Sequence, residues 1–296
     1  MKEDSKKIKP IVAICYDFDK TLSPTDMQNY SLIPSLGMTP DVFWKEATKL
    51  TDESQMDGIL AYMYLVKKIA EKEGKRITRE DLKSESSKIR LFEGVMDWFD
   101  AIEECAEKLD IIVEHYIISS GMKEMIEDLP IAKFFKKIYA CEFIYSKEYG
   151  FPVWPKQVVN PSNKTQYLFR INKGCIDEND MNLNESIKSE DRRIPFCNIL
   201  YIGDSMTDIP CMAVTKRYGG YSIGVYDPES GEEGKRNARK LINDSRVDYC
   251  VPADYRKDKE LFKITEIILK NITVSCELAK ISQIQKKAFN ITDDYS

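Results

Sequence analysis

Residues 11–16, Ile-Val-Ala-Ile-Cys-Tyr, have the continuous apolar character of a strand buried on both faces, yet the next strand candidate, 111–118, comes only after a long helical tract. A first strand separated from its sheet in this way requires an insertion. Within the tract, 40–50 is helical, Met56, Ile59, Leu60, Met63, Val66, Ile69 and Ala70 share one helical face, and 78–90 continues the pattern. Gly94 then opens a helix with Val95, Trp98, Phe99, Ile102, Cys105 and Leu109 at helical spacing. Strands at 138–143, 199–202, 221–226 and 247–251 alternate with helices at 122–129, 164–172, 208–217 and 257–269. The expected architecture is α/β: a doubly wound, mostly parallel sheet of Rossmann-like type with an inserted all-helical domain. Its expected divisions are 1–21 plus 91–272 for the α/β core, 22–90 for the helical insertion, and 273–296 for a tail. That tail adds one amphipathic helix through Val274, Leu278, Ile281 and Ile284.

Composition serves mainly to exclude. The 44 basic and 49 acidic side chains give a net charge of −5 with no concentrated Lys/Arg block, so neither a nucleic acid nor an anionic membrane is an expected partner. A local pocket can still be positive and bind a small anion. The charged N-terminus has no signal-peptide pattern and no run is long enough to span a bilayer, so a cytoplasmic protein is expected. The eight cysteines are never two or three residues apart, which removes CxxC redox and zinc motifs and leaves them as buried small hydrophobes. His115 is the only histidine; it excludes two-histidine mechanisms and reads as a core or sheet-edge residue. The polar, acidic stretch 172–195 reads as a surface loop. Its Asp177, Asn179 and Asp180 do not make a calcium loop, because Asn182 and Lys188 occupy the places of the turn glycine and the bidentate glutamate. The oligomeric state is left open by the sequence.

Asp17-Phe18-Asp19-Lys20-Thr21 follows the first strand directly, and residues i and i+2 of extended chain face the same side. Two carboxylates so placed repel unless a cation neutralises them. With oxygen donors alone, and no His or Cys nearby, Mg²⁺ is favoured over zinc or copper. A second acidic pair, Gly203-Asp204-Ser205-Met206-Thr207-Asp208, follows the strand at 199–202. Between them, Ser119-Ser120-Gly121 ends a third strand and is expected to open a helix, offering a hydroxyl and free N–H groups to an anion. Lys164, opening the helix after Asn160-Pro161-Ser162-Asn163, adds a positive charge.

In this order, the motifs resemble those of the haloacid dehalogenase superfamily of aspartate-nucleophile phosphohydrolases, over a framework from about Ile11 to Val251. The resemblance implies that Asp17 is the nucleophile and Asp19 the general acid, then base. It implies Mg²⁺ held by the Asp17 carboxylate, the Asp19 backbone carbonyl and Asp204, with Asp208 supporting the metal through water or orienting Lys164. Thr21, Ser119 and Lys164 would hold the phosphoryl oxygens, with Ser120 and Gly121 beside them; Ser119 is preferred to Ser120 because it directly ends the apolar run. Lys164 stands farther from the last motif than the family leads one to expect, and Lys156 and Lys173 compete with it.

Asp19 and Thr21 imply phosphatase rather than dehalogenase chemistry. The alternatives are a phosphomutase or phosphotransferase on the same fold, or a catalytically silent binding protein. A helical cap between the first two motifs resembles the phosphoserine phosphatase branch and implies a small phosphorylated metabolite as substrate. Asp26 lies near the place of that branch's amine-binding acid, but it is Asp rather than Glu, and no cap arginine for a carboxylate is evident, so phosphoserine is one candidate. Tyr30, Trp44, Tyr62 and Tyr64 either line a substrate pocket or fill the core of the cap.

Overall fold

The computed structural model describes residues 9–74, 77–148, 150–188, 191–204 and 207–289. Its strands are β1 (Ile11–Tyr16), β2 (Ile112–Met122), β3 (Phe135–Tyr145), β4 (Pro152–Gln157), β5 (Ile199–Gly203), β6 (Tyr221–Tyr226) and β7 (Tyr249–Pro252). They form one sheet in the order β4-β3-β2-β1-β5-β6-β7, in which every neighbouring pair is parallel except β3 with β4. The chain therefore winds outward from β1 in one direction, returns, and winds outward in the other. A crevice opens at such a reversal, beyond the carboxyl ends of β1, β2 and β5.

The helices are α1 (Leu32–Ser35), α2 (Pro40–Ser54), α3 (Gly58–Lys72), α4 (Arg79–Ser84), α5 (Val95–Lys108), α6 (Lys123–Glu127), α7 (Lys164–Lys173), α8 (Ile209–Arg217), α9 (Gly231–Asn243) and α10 (Glu260–Ala288). The first four make up the insertion between β1 and β2. The Asp57 carboxylate caps α3 by accepting from the Ile59 and Leu60 N–H groups, and its other oxygen accepts from Asn160 of the core. One side chain thus starts a helix of the insertion and ties it to the loop that precedes α7. Thr78 and Asp81 form a reciprocal capping box on α4. On the core side, α5 buries Val95, Trp98, Phe99, Ile102, Cys105 and Ala106, the face its spacing dictates.

Several elements depart from the expectation. The edge strand β4 and the helix α9 were not expected at all. The helix after β2 is the five-residue α6, and β2 itself runs to Met122, so Ser119 to Gly121 do not open a helix. The C-terminal helix runs from Glu260 to Ala288 without a break at 273. Cys197 is exposed and Cys250 and Cys276 are half-buried, whereas the other five cysteines are buried; all eight are free thiols. In the stretch 172–195, Arg170 donates to the carbonyls of Cys175, Asp177, Glu178 and Asp180, and Lys173 to those of Leu183 and Glu185. Among the described residues, no helix is long and apolar enough to cross a membrane.

Candidate active site

The Asp17 N–H donates to the Ile202 carbonyl at 3.0 Å, which locks the first residue after β1 against the end of β5. Directly beyond, Lys20 sits at φ 59°, and the Thr21, Leu22 and Ser23 N–H groups all turn back to the Phe18 carbonyl. This tight reversal sends the chain into the insertion and leaves Asp17 and Asp19 at the mouth of the crevice. Asp19 accepts from the Met27 N–H at 2.7 Å.

Lys164, the first residue of α7, reaches into this point. Its ammonium lies 2.9 Å from Asp17 and 2.8 Å from Asp208, with the lysine side chain 1% exposed. Asp208 also accepts from the Tyr201 hydroxyl at 2.7 Å, so two donors fix it beneath the cavity floor. Gly203 makes this possible: a Cβ there would sit 2.7 Å from the Asp208 carboxylate. Burial works against the Lys164 charge, but Asp17 and Asp208 outweigh it and raise its pKa. Lys156 instead pairs with Glu142, and Lys173 is spent on the loop carbonyls.

The third wall is β2. Ile118 pairs with Tyr139 and Met122 with Cys141, so Ser119, Ser120 and Gly121 bulge opposite the single residue Ala140. The Ser119 hydroxyl accepts from the Gly121 N–H at 3.0 Å, whereas the buried Ser120 hydroxyl has no partner. Gly121 lets this segment close on the acidic loop, since a Cβ there would lie 3.2 Å from Asp19 and collide with the Met27 side chain. The buried Thr21 hydroxyl is also without a partner.

These residues surround a cavity of about 260 Å³ whose core wall is Asp17, Asp19, Ser120, Lys164, Asp204 and Thr207. The insertion supplies the opposite wall, through Asp26, Gln28, Trp44, Gly58, Ile59 and Tyr62, with Lys20 at the junction. Trp44 is fixed by its indole N–H on Asn29, and Tyr62 donates to the Ser120 carbonyl at 2.8 Å. Lys20 pairs with Asp26 at 3.1 Å. Of the four aromatic residues considered for this wall, Tyr30 and Tyr64 are not on it. Tyr30 is bonded to Ser23, and Tyr64 points outward, because helical rotation turns it away from the face that carries Tyr62.

One oxygen each from Asp17, Asp204 and Asp208 lie within 4.8 Å of one another. Burial, opposed by Lys164 and reinforced by Asp208, pushes the Asp17 carboxyl up to about 6. Burial and then Asp208 and Asp17 hold Asp204 well above the usual carboxylate range; burial, Asp26 and Asp17 do the same for Asp19. Lys164 thus faces three clustered carboxylates, with the Lys20 ammonium, paired to Asp26, acting on Asp204 from the junction, and the donor set is all oxygen. That combination suits a hard divalent cation of the Mg²⁺ type.

The chain matches the family model for haloacid dehalogenase-like hydrolases over residues 14–213. It belongs to that family. An uncharacterized protein of Borreliella burgdorferi is 28% identical over 277 residues, covering 85% of this chain and 94% of that protein. The fold is similar to that of a substrate-bound phosphoserine phosphatase, with a TM-score of 0.52 at 15% identity, covering 88% of this chain and 99% of the other. It is also similar to a haloacid dehalogenase-family hydrolase of Salmonella enterica serovar Typhi, with a TM-score of 0.52 at 16% identity. There the match covers 75% of this chain and 64% of the other.

In this haloacid dehalogenase-like hydrolase the structure gathers Asp17, Asp19, Ser120, Lys164 and Asp204 on one cavity wall, with Asp208 behind it. Thr21, Ser119 and Gly121 adjoin that wall, but they are not among the cavity-lining residues. Sequence reasoning gave no site role to Lys20, Gln28, Gly58, Ile59, Tyr201 or Thr207, although Lys20 and Thr207 stand inside the two acidic motifs, Ile59 on the apolar face of the insertion, and Tyr201 as a hydroxyl inside the apolar run of β5.

Proposed function

We propose that this hydrolase is a Mg²⁺-dependent phosphatase that cleaves a small phosphorylated metabolite through an aspartyl-phosphate intermediate. The observation that carries the reading is the Asp17 carboxylate at the cavity wall, held at 2.9 Å by a buried lysine and flanked by Asp19 and Asp204. An Asp17 oxygen attacks phosphorus in line, forming the acyl-phosphate bond as the bond to the leaving oxygen breaks. Asp19, on the same wall, gives its proton to the departing alkoxide. Its carboxylate then takes a proton from the water that attacks phosphorus, which breaks the bond to Asp17 and frees inorganic phosphate.

Asp17, Asp204 and the Asp19 carbonyl would hold the cation, which when bound neutralises phosphoryl charge and aligns the ester with the nucleophile. Asp208, with Tyr201, acts as a positioning residue for Lys164. Lys164, the Thr21 hydroxyl and the Ser119–Gly121 bulge would receive the phosphoryl oxygens; the two unpartnered hydroxyls, of Thr21 and Ser120, support this. Residues 22–90 would act as a cap on the core of 1–21 and 91–272, excluding bulk water and limiting substrates to small ones. The insertion's wall, with Trp44, Ile59 and Tyr62 beside Asp26 and Gln28, suits an organic group with an apolar face and hydrogen-bond donors.

The test is phosphate release from p-nitrophenyl phosphate and from a panel of phosphorylated metabolites that includes phosphoserine. Turnover is expected with Mg²⁺ and is expected to fall by about 10³-fold or more in Asp17→Asn. Activity that survives this substitution overturns the mechanism. Conversion of a bisphosphate into its isomer would indicate a mutase instead. Ser119→Ala and Ser120→Ala, compared side by side, report which hydroxyl of the bulge meets the phosphoryl group.

A further inference from the structure

The helix α10 buries different faces in its two halves. Leu261, Phe262, Thr265, Ile268, Leu269 and Ile272 are buried against the body, and beyond Ile272 no described residue of the helix is buried. Cys276 is the last of its hydrophobic residues packed against the core, its thiol facing Asn198, so the final twelve residues, about 18 Å of helix, extend past the body. At about 100° per residue, Ile267, Val274, Leu278 and Ile281 fall on the side opposite the buried face. They are 62%, 53%, 62% and 53% exposed. An outward stripe cannot be covered by the body that the other side of the same helix packs against.

The spacing of that stripe is specific. Ile267, Asn271, Val274, Leu278 and Ile281 step by four, three, four and three residues, the repeat of a helix that packs along a second helix; Asn271, at the edge of the stripe, also donates to the Tyr221 hydroxyl of β6. The flank of the stripe carries Glu266, Lys270, Glu277 and Lys280, alternating in sign. If a second copy is laid antiparallel about an axis near Val274, Val274 meets itself and Ile267 meets Ile281 of the second copy. The same axis brings Lys270 within one residue of register of Glu277, Glu266 within two of Lys280, and Leu278 beside Asn271, so that oppositely charged flanks adjoin under one two-fold operation, as an isologous interface permits.

We infer that the outward face of α10 is a homodimer interface, formed by antiparallel pairing of this helix with its copy about Val274. The test uses the full chain in sedimentation equilibrium and light scattering, over concentrations up to about 100 µM, a range that captures micromolar dimers. A mass of two 34.3 kDa chains is expected. Ile281→Asp is expected to yield a single chain with an unchanged far-ultraviolet circular dichroism spectrum. Lys270→Glu is expected to weaken the dimer by at least about tenfold, and adding Glu277→Lys to restore it, since the swapped pair is again complementary. A wild-type chain that stays monomeric overturns the inference, including one that instead sediments with anionic phospholipid vesicles. A dimer that persists in Ile281→Asp overturns it as well, and a charge swap that fails to restore affinity overturns the antiparallel register.

Discussion

Lys164 keeps its ammonium within 2.8–2.9 Å of two carboxylates, with all three side chains at most 7% exposed. Desolvating three charges is costly, and their mutual attraction offsets that cost only while the set is complete. Lys164→Met is therefore expected to destabilise the fold by about 3–5 kcal/mol, as removal of one partner of a buried pair does. Adding Asp208→Asn should recover part of the loss, because it removes one of the stranded charges. Urea midpoints at pH 7.5 without divalent ions read both effects, and a cost under about 1 kcal/mol contradicts a closed triad. His115 makes a different use of burial. The Trp98 indole N–H donates to the Tyr16 hydroxyl at 2.8 Å, and the Tyr16 hydroxyl shares a hydrogen bond with His115 Nδ1 at 2.9 Å. Burial lowers the imidazole pKa to about 3, below its ordinary value of 6.5. Since the folded value lies below the unfolded one, the unfolded chain binds the proton first, and stability is lost as pH falls from 6.5 toward 3. Between pH 7.5 and 5.5 the wild type should lose about 1.4 kcal/mol more than His115→Gln, which keeps an acceptor for Tyr16. Equal losses in paired urea titrations would mean that His115 is already charged or already exposed in the fold.

Elements whose apolar pattern is continuous or periodic were legible in the chain, and those shaped by their neighbours were not. Tyr221–Tyr226 and Ile11–Tyr16 have the bounds that their apolar runs dictate. The strand β4 escaped because Pro152 and Pro155 argue against a central strand, and it is in fact the antiparallel edge, where a missing N–H costs little. Among its described residues the helix α9 buries Gly234, Ala238 and Leu241 alone, and its two glycines weaken any periodic signal. The bulge of β2 could not be read at all, since it depends on register with β3, which is a tertiary property. In the site, the aspartates and Lys164 were legible because each stands at the end of a strand or the start of a helix. The cavity wall from the insertion was half legible: Trp44 and Tyr62 could be weighed, but Gln28 lines the cavity through the packing of the turn at 27–29 on β2, and Gly58 and Ile59 through the way α3 packs on α2 and β4. The length of α10 follows from the absence of a breaker at Asn271-Ile272-Thr273, where propensity alone did not justify dividing the helix.

On the scale of the molecule, the candidate site joins parts that are remote along the chain. Asp17 follows β1, Asp204 follows β5, Lys164 opens α7, and the insertion covers them through Trp44 and Tyr62. A ligand held by Asp17 and Asp204 together exists only when β1 and β5 are paired, so binding it must oppose global unfolding rather than a local fluctuation. At tenfold excess over its dissociation constant, such a ligand stabilises the folded state by about 1.4 kcal/mol. For a chain of this size that corresponds to a rise in melting temperature of roughly 2–4 °C. Mg²⁺ added to chelator-treated protein should therefore raise the melting temperature, saturably, with no substrate present. Asp204→Asn should abolish the rise while leaving the Lys164 contacts to Asp17 and Asp208 in place, which separates cation binding from loss of the triad. A melting temperature that is indifferent to Mg²⁺, or a rise that persists in Asp204→Asn, would mean that the three carboxylates are balanced by Lys164 and by protons rather than by a cation.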